Sequence, residues 1–174
     1  MNDHKPIWDM VEWTPVGFAQ MGLDRVLPDW APFGDGPILN LGPGNKPIVG
    51  TIGLDWPDWD AEKEPIPFSS ASVGGVIATH FLEHLKDPLN VLWEVGRVLM
   101  PGCPFNILVP HGQSLSYLQD LDHKTPFVLD TWKNLLDNPY YTKGKNGLPF
   151  RLGANFLFGV KEANLALVTQ LIKT

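Results

Sequence analysis

Pro37-Ile38-Leu39-Asn40-Leu41-Gly42-Pro43-Gly44-Asn45 passes from a short apolar segment directly into a proline flanked by glycines. Ile38, Leu39 and Leu41 read as a buried strand. Two glycines just past a strand let the backbone turn sharply and approach a ligand closely. A plain tight turn has the same composition, so the neighbouring segments must decide. Thr51-Ile52-Gly53-Leu54-Asp55 is a second short buried-strand candidate, Val73 to Thr79 a third and Phe105 to Val109 a fourth. Between the last two, Asp87-Pro88 supplies a helix cap and a first-turn proline. Leu89, Leu92, Trp93, Gly96 and Leu99 then form one helical face, and Pro101-Gly102 stops it. A shorter helix is expected at Leu129–Leu136, and Asn155–Val160 with Leu165–Lys173 as a final strand pair.

Strands alternating with helices predict an α/β fold, a mostly parallel sheet closed by an antiparallel terminal pair. Upstream, residues 1–13 read as an irregular arm, and Thr14-Pro15 starts a helix that Pro28 ends. The expected organisation is an N-terminal arm and helix over 1–36 and a core over 37–174, one domain overall. In such sheets ligands bind beyond the carboxyl ends of the strands, where the strand order switches. The residues following Leu41, Leu54, Ala78 and Val109 are therefore the functional candidates.

The composition narrows the classes. The 174 residues are 44% apolar and include 7 Trp, 9 Phe and 3 Tyr, so the 17 glycines and 17 prolines indicate tight turns rather than disorder. No apolar run is long enough to span a membrane, and Met1 to Lys5 leads into no signal core. A single cysteine, Cys103, excludes a disulfide framework and a multi-cysteine zinc site. These features point to a cytoplasmic protein. Through Asp122 there are 6 Lys/Arg against 16 Asp/Glu, and from His123 onward 7 against 3. The acidic majority disfavours broad binding along a nucleic-acid backbone, and a small-molecule substrate is expected.

Four constellations carry chemistry. The Gly42-Pro43-Gly44 loop lacks the third glycine of a dinucleotide fingerprint, since Pro47 stands there. Only ten residues separate Gly44 from Asp55, with Pro47 and Gly50 among them, so no ordinary helix fits to hold a diphosphate. A ligand with an amino-acid end and a nucleoside end remains compatible. Asp55, at a strand's carboxyl end, can accept both hydroxyls of a ribose, or simply form the turn before Trp56-Pro57. His80-Phe81-Leu82-Glu83-His84 matches the H-x-x-E-H pattern of inverted zinc peptidases, but it follows a strand directly and lacks the long helix that such ligands need. His111 after Val109-Pro110, and His123, are candidates for accepting a proton near neutral pH, or are ordinary loop histidines. Trp8, Trp13, Trp30 and Phe33 either cap a substrate pocket or pack the arm.

In order along the chain stand Leu39-Asn40-Leu41-Gly42-Pro43-Gly44, Leu54-Asp55, Asp60-Ala61-Glu62, Ile66-Pro67-Phe68 and Ser72-Val73. They are followed by Ala78-Thr79-His80-Phe81-Leu82-Glu83-His84-Leu85, Arg97-Val98-Leu99-Met100-Pro101-Gly102 and Val109-Pro110. This series resembles the class I S-adenosylmethionine-dependent methyltransferases of the type 11 group over roughly residues 37–125. The resemblance implies a Rossmann-like methyltransferase fold and S-adenosylmethionine as cofactor. It assigns Asn40, Leu41, Gly42, Pro43, Gly44 and Asn45 to the methionine end, Asp55 to the ribose, and Asp60 and Ala61 to the adenine. Thr79 and His80 would line the methionine side, with His111 and His123 as catalytic candidates.

Departures from the family pattern are Asn40 in place of an acid, Lys46 in place of a third glycine, and Gly74 where Asp often begins a motif. Only Trp56-Pro57-Asp58-Trp59 separates Asp55 from Asp60, so the fold is shortened between its first and third strands and Trp56 becomes a candidate cover for the base. The leading expectation is methyl transfer to an unidentified, small-molecule acceptor. The departures keep open a degenerate, non-catalytic module of the same fold. Two metal readings, a zinc peptidase and a metal-assisted enzyme similar to small-RNA 2′-O-methyltransferases, rank below these, and no metal is expected.

Overall fold

The computed structural model describes residues 32–138, 147–159 and 165–174. Its elements are β1 (Ile38–Leu41), β2 (Ile52–Leu54), β3 (Gly75–Thr79), a 3₁₀ turn (Leu82–His84), α1 (Pro88–Val98) and β4 (Pro104–Pro110). They continue with α2 (Leu115–Leu118), α3 (Leu129–Asp137), β5 (Phe150–Phe158) and β6 (Ala166–Lys173). The six strands form one sheet in the order β2-β1-β3-β4-β6-β5. The pairs β1–β2, β1–β3 and β3–β4 are parallel, while β4–β6 and β5–β6 are antiparallel. The fold expected from alternating elements is the fold observed.

Register brings the loops together. Leu41 is level with Leu54 on one side and Ala78 on the other, and Thr79 pairs with Leu108. Gly42, Asp55 and His80 thus leave the same edge of the sheet. The chain steps from β1 outward to β2 and then to the opposite side at β3, so Gly42 and His80 flank the switch in strand order.

Side-chain alternation divides the strands between two faces. Leu39, Leu41, Val76, Ala78, Phe105, Ile107 and Val109 join the larger core, packed with Val91, Leu92 and Val95 of α1 and Trp132 of α3. Ile77, Leu108, Ala166 and Val168 form a smaller cluster with Ile48. The Asp87 carboxylate caps α1 by accepting from Leu89 N–H at 3.1 Å, with Pro88 at the first position, as its sequence signals require. Arg97 then ties α1 to the loop before β3. Its guanidinium donates to Phe68 O (2.8 Å) and Ile66 O (2.9 Å) and forks onto Glu94 at 2.9 and 2.7 Å.

Several expectations shift. The second strand is no buried strand but the sheet edge, with Ile52 46% exposed, because β1 covers only one of its sides. The terminal pair begins at Phe150 instead of Asn155, since β6 is long enough to pair back to Lys173. The short α2 has no counterpart in the sequence reading. The helix expected from Thr14, the arm with Trp8, Trp13 and Trp30, and Val160 lie outside the described residues.

Candidate active site

The site is built on the loops leaving that carboxyl edge. Gly42 adopts φ +62° and Gly44 φ +54°, the left-handed region that glycine tolerates. A Cβ on Gly42 would stand 2.3 Å from Phe81 Cδ2, so the bare backbone there admits the ring. The Asp55 carboxylate clasps the loop: Oδ2 accepts from Gly44 N–H at 2.7 Å and Oδ1 from Trp56 N–H at 2.9 Å. Each oxygen keeps a further lone pair for a hydroxyl. Among buried polar atoms, Asn40 Oδ1 has no hydrogen-bond partner among the described residues.

Two cavities open on this edge. The first, about 410 Å³, is lined by Gly42, Pro43, Asn45, Lys46, Thr79, His80 and His123, and also by His84, Ser116 and Asp120 among others. The second, about 390 Å³, is lined by Asp55, Trp56, Asp60, Ala61, Phe81 and Lys124, among others. Phe81, packed on Gly42 and 6.3 Å from the Trp59 ring, stands at the boundary between them. Trp59 is buried and donates from Nε1 to Pro65 O at 3.2 Å, so it plugs the short segment after β2 where no helix forms. Trp56 is 72% exposed on the cavity rim. The hydrogen bond from Lys63 holds the Asp60 carboxyl below its ordinary range.

The structure therefore brings together the glycine loop, Asn45, Thr79 and His80 in one cavity and Asp55, Trp56, Asp60 and Ala61 in the other. Asn40 and Leu41 lie buried in β1 beneath the loop. It separates the two catalytic candidates. His123 lines the first cavity, whereas His111 is 8% exposed, accepts from Gln113 N–H at 3.3 Å, and is not among the lining residues. His80 carries a strained positive φ of 52° at the end of β3. The pentapeptide His80–His84 is a strand end and one 3₁₀ turn, so the helix that sets two histidines over a peptidase zinc is missing. Sequence reading overlooked Phe81, Ser116, Asp120, Asp122 and Lys124. The Asp120-Leu121-Asp122-His123 cluster was the available signal, but only the folded loop turns it towards the site.

Residues 45–106 match the family model of the type 11 group, described as "Methyltransferase domain". A Haloferax volcanii structure, the putative methyltransferase in complex with the Trm112 methyltransferase activator, superposes with a TM-score of 0.61 at 16% identity, covering 90% of this chain and 88% of that one. The chain has the class I methyltransferase fold. A S-adenosylmethionine-dependent methyltransferase from Archaeoglobus fulgidus gives a TM-score of 0.58 at 18% identity over 89% of this chain and 93% of that one. One from Methanosarcina mazei gives 0.56 at 15% over 80% and 92%. No protein of curated function matches by sequence.

S-adenosylmethionine is the cofactor that the methyltransferase domain implies, and the residues present fit it. The glycine loop leaves space above Gly44, where a Cβ would meet nothing within 4 Å. Asp55 offers unused lone pairs, and an aromatic-rimmed cavity lies beside it. Among the described residues, no helix is long and apolar enough to cross a membrane.

Proposed function

We propose that this chain moves a methyl group from S-adenosylmethionine to a small acceptor that enters the cavity walled by Thr79, His80 and His123. The observation that carries the reading is the Asp55–Gly44 hydrogen bond at 2.7 Å, which locks a ribose-binding carboxylate to the glycine loop at the switch point. When bound, the cofactor supplies a methyl group activated by a sulfonium. The chain's part is positioning, which supplies much of the rate of such an in-line displacement. Gly42 and Gly44 let the methionine end approach the backbone, with Pro43 and Asn45 beside it. Asp55 accepts the ribose hydroxyls, Asp60 and Ala61 flank the adenine, and Trp56 covers it. Thr79 and His80 form the wall facing the methyl group. Phe81 stands between the methionine side and the nucleoside side. His123 is better placed than His111 to meet the acceptor.

The net negative charge favours a small acceptor over a nucleic-acid polymer. A single buried thiol and a soluble fold of this kind support a cytoplasmic setting.

A thermal-shift titration tests the reading. Cofactor at a hundredfold its dissociation constant adds about 2.7 kcal/mol, a rise of roughly 5–10 °C in Tm for a chain of this length. Asp55→Ala is expected to weaken that binding by about tenfold or more, the loss of a charge-assisted hydrogen bond. No stabilisation by S-adenosylmethionine or its demethylated product would refute the proposal. Binding without methyl release to any acceptor would favour the non-catalytic module.

A further inference from the structure

Outside the cofactor loops, one ligand atom from each of Glu83, His84 and His123 falls within 4.8 Å of the others. Glu83 is wholly buried, and neither carboxylate oxygen receives a hydrogen bond among the described residues. His80 Nδ1 approaches Oε1 to 3.3 Å without hydrogen-bonding geometry. A carboxylate removed from water is costly unless a cation meets it. The Lys124 ammonium is directed elsewhere, donating to His84 O at 2.8 Å and standing 3.6 Å from Asp122 Oδ1.

The two imidazoles are each held at Nδ1. His84 Nδ1 lies 3.2 Å from Asp122 Oδ2, and His123 Nδ1 lies 2.9 Å from Tyr117 O. A carbonyl oxygen only accepts, so His123 carries its proton on Nδ1, and the Asp122 carboxylate imposes the same on His84. In the neutral rings Nε2 keeps its lone pair. A ring N–H held by a carboxylate or a carbonyl is the usual support of a metal-ligating histidine. The loop bearing His123 is also fastened to the turn bearing Glu83 and His84. Lys124 N–H and Thr125 N–H both donate to Glu83 O, at 2.7 and 3.0 Å, and Thr125 Oγ1 donates to Leu85 O at 2.7 Å.

We propose that Glu83, His84 and His123 bind a divalent first-row transition cation in the wall of the first cavity. Two imidazoles and a carboxylate suit Zn²⁺, Mn²⁺ or Co²⁺ better than the harder Mg²⁺. Ligands about 2.0–2.1 Å from one ion stand roughly 3.0–3.5 Å apart, so side-chain rotations that bring the widest pair roughly 1.3–1.8 Å closer would close the set. Asp120 Oδ2 stands 3.6 Å from His123 Nε2, a second negative charge beside the set. His84 and His123 both line the first cavity, so an ion held by them would be open to it. An acceptor with an oxygen or nitrogen donor would occupy the ion's remaining positions, a consequence that rests on the methyl-transfer reading; the ion site itself does not. His123 Nε2 then belongs to the ion rather than to the acceptor's proton, and the proposal departs from the expectation of no metal.

Tag-free protein stripped with a chelator is titrated with Zn²⁺, Mn²⁺ and Co²⁺, Mg²⁺ serving as the hard-cation control. Binding of about one Zn²⁺ or Co²⁺ per chain is expected, with visible Co²⁺ absorption bands and a rise in Tm. Glu83→Gln and His123→Ala should each weaken binding by at least about tenfold. Without metal, Glu83→Gln should melt no lower than the parent, because it removes a buried charge and keeps the shape. Absence of saturable binding, or equal binding by the parent and Glu83→Gln, overturns the site. A metal-free Glu83→Gln that melts several degrees lower, with no metal-induced rise in the parent, also overturns it, because Glu83 is then a partner of protonated histidines. S-adenosylmethionine binding is measured on the same stripped protein. Its loss with ion binding intact would strike the methyltransferase reading alone, and its retention without ion binding would remove only the ion site.

Discussion

Gly42 and Gly44 share the left-handed backbone conformation but not their surroundings. At Gly44 an added Cβ meets no atom within 4 Å, so Gly44→Ala bears only the conformational cost, about 1 kcal/mol. At Gly42 the same atom would collide with the Phe81 ring, which also packs towards Trp59. Gly42→Ala is therefore expected to lose at least about 2 kcal/mol in urea unfolding. It should also weaken cofactor binding more than Gly44→Ala does, because the ring is displaced over the glycine loop. Equal losses in the two variants would show that the Phe81 contact is immaterial. Asn40 illustrates a second effect of single residues. It is 1% exposed with an oxygen that no described residue meets, and a neutral amide is far cheaper to bury there than the acid common in the family.

At the scale of elements, α1 is both a core helix and a clamp. Ile66 N–H donates to Glu94 Oε2 at 2.9 Å while Arg97 forks onto the same carboxylate, closing the loop from Ile66 to Phe68 against the helix. The Arg97 hydrogen bond lowers the Glu94 carboxyl below its ordinary range. A carboxylate with a depressed folded-state pKa stabilises the fold above its unfolded value, and that stability disappears as pH falls through the folded value. Both side chains are about a quarter to a third exposed, so solvent screening limits the effect. Glu94→Gln is expected to cost about 1 kcal/mol at pH 7, with the gap to the parent closing as the pH drops below about 4. A gap independent of pH would mean that the amide loses packing rather than charge. The same helix was legible in the chain, because its cap, its first-turn proline and its apolar spacing are local signals that α1 obeys to within a residue. Asp55 was legible for a similar reason, standing where a strand's apolar run ends. The exposed edge at Ile52 was not, since one strand's composition does not reveal how many neighbours it will have. Nor was the difference between His111 and His123. Both follow β4 in polar loops, and long-range hydrogen bonds such as those from Lys124 N–H and Thr125 N–H to Glu83 O hold the His123 loop at the cavity.

For the whole molecule, the edge that carries the candidate site depends on a sheet completed by β6. β6 runs between β4 and β5, and all of its residues except Lys173 are buried. Its end is fixed near the start of β4: Gly102 N–H donates to Lys173 O at 2.9 Å, Lys173 N–H to Cys103 O at 3.0 Å, and Thr174 N–H to Pro149 O at 3.1 Å. Every residue of β4 is buried, so without β6 one edge of that strand would present unpaired backbone groups and an uncovered apolar surface. Gln170 adds a buried polar link, its Nε2 donating to Asn106 Oδ1 at 3.0 Å across the β4–β6 pair. A chain stopped after Leu165 is expected to show no cooperative thermal transition by circular dichroism and to bind a hydrophobic dye. It should also fail to bind S-adenosylmethionine, although every proposed cofactor residue from Asn40 to His80 is still present. A truncated chain that melts cooperatively and retains cofactor binding would show that β1 to β4 with α1 form a self-sufficient unit, leaving the terminal pair to shape the acceptor side alone.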